Sequence, residues 1–236
     1  VEGKDPTNGY ASKADNWSKN LVFETMATYN KTFNKNHLLN VVAAFSYERG
    51  DYGNKAMVAT GFPQDLTEDF DMGAAVNPQK PTSGRGMTSL VSFLGRANYN
   101  LMNKYLFTAS FRRDGSSKFA PGNKWSNFAS GAIAWRASEE QFIKDLNLFS
   151  NLKFRASYGQ TGNQAIGAYA TRDYLTVANY PINGALASGF ANLTWRGPAN
   201  PDLKWETTSQ YNVGVDMGFF QNRINLTIDL YYKKTS

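Results

Sequence analysis

The side chains that usually perform catalysis or bind metals are scarce in this sequence of 236 residues. It contains no cysteine and one histidine, His37. The lack of cysteine excludes thiol catalysis, disulfides and cysteine-bound metals. One histidine leaves too little material for a Ser-His-Asp triad or a histidine-rich metal site. His37 stands beside a predicted turn, where we expect a rim residue. We therefore expect a protein that is not an enzyme and has no cofactor or metal ion.

Two short stretches resemble ligand-binding motifs only weakly. GQTGNQ (159–164) lacks the GK[ST] ending of a phosphate-binding loop, and no helical pattern follows it. DLTEDFD (65–71) is acidic but lacks the spacing and central glycine of an EF-hand. We expect the end of a strand at the first stretch and a solvated acidic loop at the second, with calcium binding there left open.

The other candidate residues are polar side chains that alternate with apolar ones. In 211–219 and 224–232 every second residue is apolar, which predicts two strands joined by a turn at 220–223. The same alternation predicts six more strands at 17–29, 37–48, 90–100, 105–114, 125–136 and 152–159. The fifth, 125–136, keeps its phase only if a β-bulge lies near Asn127.

The polar rows of these strands contain the candidate functional residues. If the apolar rows face lipid, the polar rows line a water-filled lumen. The predicted lumen-lining residues are Arg96, Arg112, Arg155, Glu206, Gln210, Asn212, Asp216 and Asp229. The alternative role for each is a structural one, in cross-strand ion pairs or in contacts to a domain inside the lumen.

The lengths of the connections favour a membrane barrel over a soluble sandwich. Short links at 30–36, 100–104 and 220–223 alternate with long ones at 50–87 and 160–203 and a shorter one, rich in Gly, Pro and Asn, at 115–123. The link at 138–151 lies on the side of the short links and predicts a short periplasmic helix, with Ser138 as N-cap and Gln141 completing a capping box. Long structureless stretches are unusual in compact soluble domains, but outer-membrane barrels combine short periplasmic turns with long extracellular loops.

Strand length and aromatic residues favour the same interpretation. About ten residues suffice for a tilted strand to cross a membrane, and aromatic side chains mark the two interfaces. The predicted girdle consists of Trp17, Tyr29, Tyr47, Tyr99, Tyr105, Trp125, Trp135, Tyr158, Trp205, Phe219, Phe220 and Tyr232. The mean hydropathy of −0.49 is compatible with a barrel that has a polar lumen and polar loops. The net charge of +6 comes from scattered basic residues, so we expect no nucleic-acid partner.

Four stretches also resemble a known family. They are 111–125 (FRRDGSSKFAPGNKW), 131–146 (GAIAWRASEEQFIKDL), 152–164 (LKFRASYGQTGNQ) and 200–235 (NPDLKWETTSQYNVGVDMGFFQNRINLTIDLYYKKT). Together they look like the barrel of SusC/RagA-type TonB-linked outer-membrane transporters of Bacteroidota. The resemblance is less distinctive over residues 1–84.

The resemblance implies a fold, a function and a set of partners. The chain would be all-β, an antiparallel segment of about eight strands from a barrel of roughly 22 strands. Residues 1–236 would form part of one barrel domain, with the plug domain, the TonB box and the end of the barrel outside the chain. The whole protein would import oligosaccharides or peptides across the Gram-negative outer membrane. It would use TonB, through an N-terminal region absent here, and a SusD-like surface lipoprotein as a lid.

Aromatic residues in the predicted outer loops are further candidates for contact with substrate or lid, and simple packing within the loop is the alternative for each. They are Tyr52, Phe62, Phe70, Tyr174, Tyr180, Phe190 and Trp195. Two other functions stay open: a passive pore or structural barrel, and a soluble carbohydrate-binding β-sandwich. Apolar rows packed on each other across a dry interior would favour the sandwich.

Overall fold

A computed structural model of the chain describes residues 9–62, 70–172, 175–182, 185–192 and 200–236. Strands predominate in these ranges. Their bounds are β1 Tyr10–Phe33, β2 His37–Thr60, β3 Asn77–Pro78, β4 Thr82–Leu101, β5 Tyr105–Ser116, β6 Trp125–Arg136, β7 Phe149–Asn163, β8 Leu175–Ile182, β9 Ala185–Asn192, β10 Glu206–Phe219 and β11 Ile224–Thr235. The one α-helix of the described residues is the short α1, Gln141–Lys144. No helix in these ranges has the length and apolar character needed to cross a membrane.

Eight long strands form one sheet in the order β1-β2-β4-β5-β6-β7-β10-β11, and β3 pairs with β2. Strands β8 and β9 form a separate two-stranded sheet. The register from β4 to β11 is antiparallel throughout. Within the described residues β1 and β11 each have a neighbour on one side only, so the sheet is open. The eight-stranded antiparallel prediction is confirmed.

The β10–β11 hairpin has the predicted turn. Pairing runs from Thr208↔Thr235 to Phe219↔Ile224. Phe220, Gln221 and Asn222 then adopt positive φ angles of 52°, 58° and 61°. The left-handed conformation at these positions reverses the chain in a few residues, and asparagine tolerates it better than most residues do.

Several strands extend beyond their predicted ends. Strands β1 and β2 each have 24 residues and β4 has 20, so the predicted loop 50–87 contains the end of β2 and the start of β4. The predicted loop 160–203 contains the β8–β9 hairpin. Tyr52 therefore lies on strand β2 rather than in a loop, and Tyr180 and Phe190 lie on β8 and β9. In the extended parts of β2 and β4 polar residues occur at both odd and even positions, so the alternation that indicates a strand is missing.

The predicted bulge near Asn127 is wrong. Pairing between β5 and β6 runs without a shift from Tyr105↔Trp135 to Gly115↔Trp125. Phe128 therefore lies on the strand face opposite to that of Trp125. The irregular phase of the sequence reflects an aromatic residue that is buried on the polar side of the sheet.

The link between β6 and β7 also differs from its prediction. A 3-10 turn at Ala137–Glu139 precedes α1, and Glu140 rather than Ser138 is the residue before the helix. Glu140 makes no side-chain capping bond to α1. Its carboxylate instead accepts hydrogen bonds from Lys104 and Tyr105, which the local sequence pattern does not reveal.

The chain forms two compact units, Val1–Leu21 with Glu48–Thr88 and Val22–Tyr47 with Ser89–Ser236. In the described part of the first unit, Ala59, Phe62 and Ala75 form a small core. The second unit has a core of Phe119, Phe128 and Trp205.

The apolar rows of the second unit are exposed. On paired β10 and β11, Val213 is 60% exposed and the opposing Leu230 is 73% exposed. Phe107, Phe111 and Ile133 on β5 and β6 are also exposed. No second sheet in the described residues covers these rows, which is the result expected for a barrel wall and not for a sandwich core. We call this side of the sheet the apolar face and the opposite side the polar face.

Candidate functional site

The register of β7, β10 and β11 brings three of the predicted lumen residues together. Arg155 pairs with Gly214, and Gly214 pairs in turn with Asp229, so the three residues form one row across the strands. Asp216 lies two residues along β10 on the same face. The Arg155 guanidinium lies at 3.2 Å (Nε–Oδ2) from Asp216 and 2.7 Å (Nη2–Oδ2) from Asp229. One cation thus joins two carboxylates from two different strands.

Gly214 makes this arrangement possible. A Cβ atom at this position would lie 2.5 Å from Asp229 Oδ1 and 2.8 Å from Arg155 Cζ. The side chain of Arg155 therefore passes over a strand position that has no side chain of its own. The glycine is needed here for the close approach of two charged groups.

We expect Gly214→Ala to separate Arg155 from Asp229. The overlap falls on the ends of flexible side chains, so the backbone keeps its place while the ion pair opens. Salt screens exposed ion pairs, so added salt should lower the unfolding midpoint of the parent protein more than that of the variant. Denaturant titrations at low and high salt measure this difference. Gly159→Ala is the matched control, since its new Cβ would meet Ser130 Cβ at an ordinary 3.4 Å. An unchanged salt response in Gly214→Ala would contradict the role of Gly214.

Arg112 belongs to a separate cluster of polar side chains near the C-terminal end of β5. Its Nε lies 2.8 Å from both oxygens of Asp114, and its Nη2 donates to Ser92 Oγ at 3.1 Å. Asp114 and Ser92 are buried. These contacts hold the guanidinium of Arg112 against its own strand and against β4.

The remaining predicted lumen residues are spread along the polar face. Glu206 accepts a hydrogen bond from Asn163 Nδ2 at 2.8 Å. Arg96 and Gln210 are exposed. The cross-strand row Arg96↔Ser110↔Ser130↔Gly159↔Gln210 places them at the two ends of a floor of small residues. Asn212 lies opposite Ser157 in the adjacent row.

A ladder of amide side chains was missed by the sequence reasoning. Asn40 Nδ2 donates to Asn30 Oδ1 at 2.6 Å, and Asn98 Nδ2 donates to Asn40 Oδ1 at 2.9 Å. Thr108 Oγ1 donates to Asn98 Oδ1 at 2.9 Å and completes the ladder. It joins β1, β2, β4 and β5. The pattern did place Asn40, Asn98 and Thr108 at polar positions of predicted strands, whereas Asn30 falls in the predicted link 30–36.

The predicted loop aromatics lie in different surroundings. Tyr52 lies over Gly86, in contact with the position where a Cβ would be. Phe62 is 8% exposed and packs with Ala59 and Ala75 in the core of the first unit. Phe70 is 84% exposed, with Lys13 Nζ at 5.7 Å from its ring centroid. Tyr174 and Trp195 lie outside the described residues.

A buried aromatic cluster connects three of the stretches that carry the family resemblance. The rings of Phe119 and Phe128 lie 5.1 Å and 5.7 Å from the ring of Trp205. Trp205 Nε1 donates to the carbonyl oxygen of Lys124 at 2.9 Å, and the ring of Phe128 lies against Gly162. Trp205 is 7% exposed, so its prediction as a girdle residue is wrong. Its contacts hold the connections before β6, after β7 and before β10 together.

Glu140 organises the opposite end of the sheet. Its carboxylate accepts from Lys104 Nζ at 2.7 Å, from Tyr105 OH at 2.8 Å and from Trp135 Nε1 at 3.4 Å. The hydrogen bond from Lys104, followed by that from Tyr105, lowers the pKa of Glu140 below its ordinary value. The hydrogen bond to Glu140 also raises the pKa of Lys104 above its ordinary value.

This pKa shift predicts an acid-dependent stability. A carboxyl whose pKa is lowered by folding stabilises the fold above its unfolded pKa of about 4.3, and the stabilisation disappears as the pH falls through the lower folded value. We expect Glu140→Gln to unfold at a lower temperature than the parent at pH 7. The two melting temperatures should converge in acid. Melting curves of both proteins, recorded at a series of pH values from 7 into the acid range, test the prediction. Glu139→Gln is the control, because among the described ion pairs Glu139 contacts only Lys144. A difference that persists in acid would contradict it.

The described residues contain no cluster of acidic and histidine side chains that could hold a metal ion. His37 Nδ1 lies 2.6 Å from Tyr99 OH at the start of β2, beside the turn. Most of the acidic stretch 65–71 lies outside the described residues, so its solvation and any calcium binding stay predictions.

Comparison with known proteins agrees with the open antiparallel sheet and its exposed apolar face. The profile of the TonB dependent receptor-like β-barrel family matches residues 3–236. The chain belongs to this family. The TonB-dependent receptor P3 of Formosa agariphila is 38% identical over 221 residues, 92% of this chain and 21% of that receptor. The TonB-dependent receptor SusC of Bacteroides thetaiotaomicron is 42% identical over 152 residues, 62% of this chain and 15% of SusC.

The fold of this TonB-dependent receptor barrel is also that of solved structures. The RagAB peptide transporter superimposes with a TM-score of 0.84 at 28% identity, over 97% of this chain and 25% of that one. The same importer in its open-open state gives a TM-score of 0.85. The chain is therefore of the SusC/RagA type, as its motifs indicated. It spans about a fifth of the length of the curated TonB-dependent receptors that it matches.

Proposed function

We propose that the chain forms part of the wall of a TonB-dependent importer in the outer membrane, which takes up oligosaccharides or peptides. The observation that carries this proposal is the arrangement of the two strand faces. Aliphatic and aromatic side chains are exposed along the apolar face, and charged and amide groups line the polar face. An apolar exterior around a polar interior is the pattern of a transmembrane β-barrel.

The partners follow from the same family membership. We propose a SusD-like lipoprotein as a lid, a plug domain inside the barrel, and TonB acting through a region outside this chain. Residues 1–236 would be a portion of a single barrel domain. The relatives support this view: RagAB is described as a peptide importer and SusC as a TonB-dependent receptor.

We also propose different roles for the polar-face residues. Arg96, Gln210 and Asn212 border the floor of small residues, which leaves room for a passing polar solute. Arg155 and Arg112 have carboxylate partners and serve mainly to hold the wall. Exposed Phe70 is the described loop aromatic best suited to stack on a sugar ring or on the lid.

Uptake by intact cells tests the proposal. Cells that carry the intact receptor would be given a mixture of fluorescently labelled oligosaccharides and, separately, labelled peptides. An importer coupled to TonB should accumulate one of these classes, and a protonophore or deletion of TonB should abolish accumulation. Uptake that continues without TonB would instead indicate a passive pore. Absence of the receptor from the outer-membrane fraction would overturn the proposal altogether.

A further inference from the structure

The link between β6 and β7 exposes an unusual set of apolar side chains. Phe142 and Leu146 are each 61% exposed, and Leu148 is 56% exposed. Phe142 and Leu146 are four residues apart and so share one side of the helical turn. Gln141 and Asp145, also four residues apart, are joined by a hydrogen bond of 2.8 Å between their side chains. The link therefore has an apolar side and a polar side.

The position of this link is fixed by Glu140. Its carboxylate accepts hydrogen bonds from Tyr105 and Trp135, which pair with each other across β5 and β6. Trp135 pairs in turn with Phe154, with the two rings stacked at 5.8 Å between centroids. These three rings belong to the apolar face. The link thus starts against the apolar face of the sheet, and not over its polar face.

Tyr105 and Trp135 have the chemistry of a membrane interface. Tyrosine and tryptophan combine an apolar ring with a polar group, and they concentrate where the acyl chains meet the headgroups. Here the hydroxyl of Tyr105 and the indole nitrogen of Trp135 both point to the carboxylate that begins the link. Exposed apolar side chains at this level meet the boundary of headgroups and acyl chains, as those of interfacial helices do.

We propose that residues 140–148 form an interfacial anchor that lies on the phospholipid surface and inserts Phe142, Leu146 and Leu148 into it. The inference rests on the proposed placement of the apolar face in the outer membrane. It adds a second membrane contact, made by a connection and not by a strand. Gln141, Lys144 and Asp145 stay on the water side, where Lys144 pairs with Glu139 at 2.9 Å.

Lipid quenching of a fluorescent label tests the anchor. This chain has no cysteine, so Phe142→Cys, Asp145→Cys and Ile228→Cys would each introduce one labelling site, with any other cysteines of the intact receptor replaced. The labelled receptors would be reconstituted in vesicles of phosphatidylethanolamine and phosphatidylglycerol. An environment-sensitive dye at residue 142 should emit at shorter wavelength than at residue 145. Phospholipids brominated near the headgroup should quench the dye at residue 142 several-fold more strongly than the dye at residue 145. Iodide in the buffer should instead quench the dye at residue 145 more strongly.

The third label separates this inference from the proposed function. Ile228 lies on the apolar face of β11, so lipids brominated deep in the acyl chain should quench a dye there. Quenching at 228 without quenching at 142 would overturn the anchor and leave the membrane placement intact. A blue-shifted dye at 142 that neither lipid nor iodide quenches would indicate a protein partner, and would also overturn the anchor. Absence of lipid quenching at both 142 and 228 would reject the membrane placement itself.

Discussion

Replacing Phe128 with alanine is expected to lower the free energy of unfolding by about 3–5 kcal/mol, the usual cost of removing a buried aromatic side chain. Phe128 is 5% exposed, and its ring meets Trp205 edge-on at 69°. It also lies against Gly162, where a larger residue would displace it. The cavity left by the substitution would loosen the packing between the strand connections that precede β6, follow β7 and precede β10.

Denaturant titration of the intact receptor in detergent, followed by tryptophan fluorescence, measures this loss. Phe111→Ala on the neighbouring strand is the matched control, because Phe111 is 52% exposed on the apolar face. Detergent fills the space that Phe111 leaves, so its replacement should cost much less. Phe128→Leu should recover part of the stability because it refills part of the cavity. Equal losses at residues 111 and 128 would contradict the assignment of these two phenylalanines to opposite faces.

Phe128 also shows where pattern reading stops. The alternation of 125–136 breaks at this residue, and a bulge was the local explanation. The actual cause is a partner 77 positions later in the chain, Trp205, which no local pattern contains. In contrast, the β10–β11 hairpin was predicted correctly, because its register depends on two adjacent strands and the turn between them.

The polar face illustrates the same limit. Alternation correctly placed Arg155, Asp216 and Asp229 on one side of the sheet. Their grouping required the exact register of β7 against β10, which runs without a shift from Glu206↔Asn163 to Gly218↔Asn151. The function of Gly214 as the gap beneath Arg155 follows only from that register. Faces can thus be predicted from sequence, whereas contacts between strands that are far apart in the sequence need the structure.

Ile228→Arg tests the membrane assignment with the largest expected effect on the apolar face. We expect it to lower the free energy of unfolding in lipid vesicles by about 2–4 kcal/mol. Ile228 pairs with Val215, which pairs with Phe154, so the residue belongs to the apolar face. Val215 lies midway along β10 between Tyr211 and Phe219, which contact Tyr158 and Phe149 as aromatic pairs at 4.8 Å and 5.3 Å. The row from Tyr105 and Trp135 through Phe154 to Val215 and Ile228 crosses tilted strands, so its depth in the membrane changes from strand to strand. With the two aromatic pairs of β7 and β10 at the interfaces, residue 228 lies within the hydrocarbon, where a guanidinium is costly.

Tyr231→Arg is the control for this prediction, because it introduces the same charge into the same strand on the polar face. Tyr231 is 71% exposed and lies opposite Asn212. An arginine there would remain hydrated within the lumen, so we expect a much smaller loss in the same denaturant titration. Equal losses of unfolding free energy at residues 228 and 231 would show that both faces of β11 lie in equally polar environments. A greater loss of stability at residue 231 would mean that the faces are reversed, with the polar face and not the apolar face in contact with lipid.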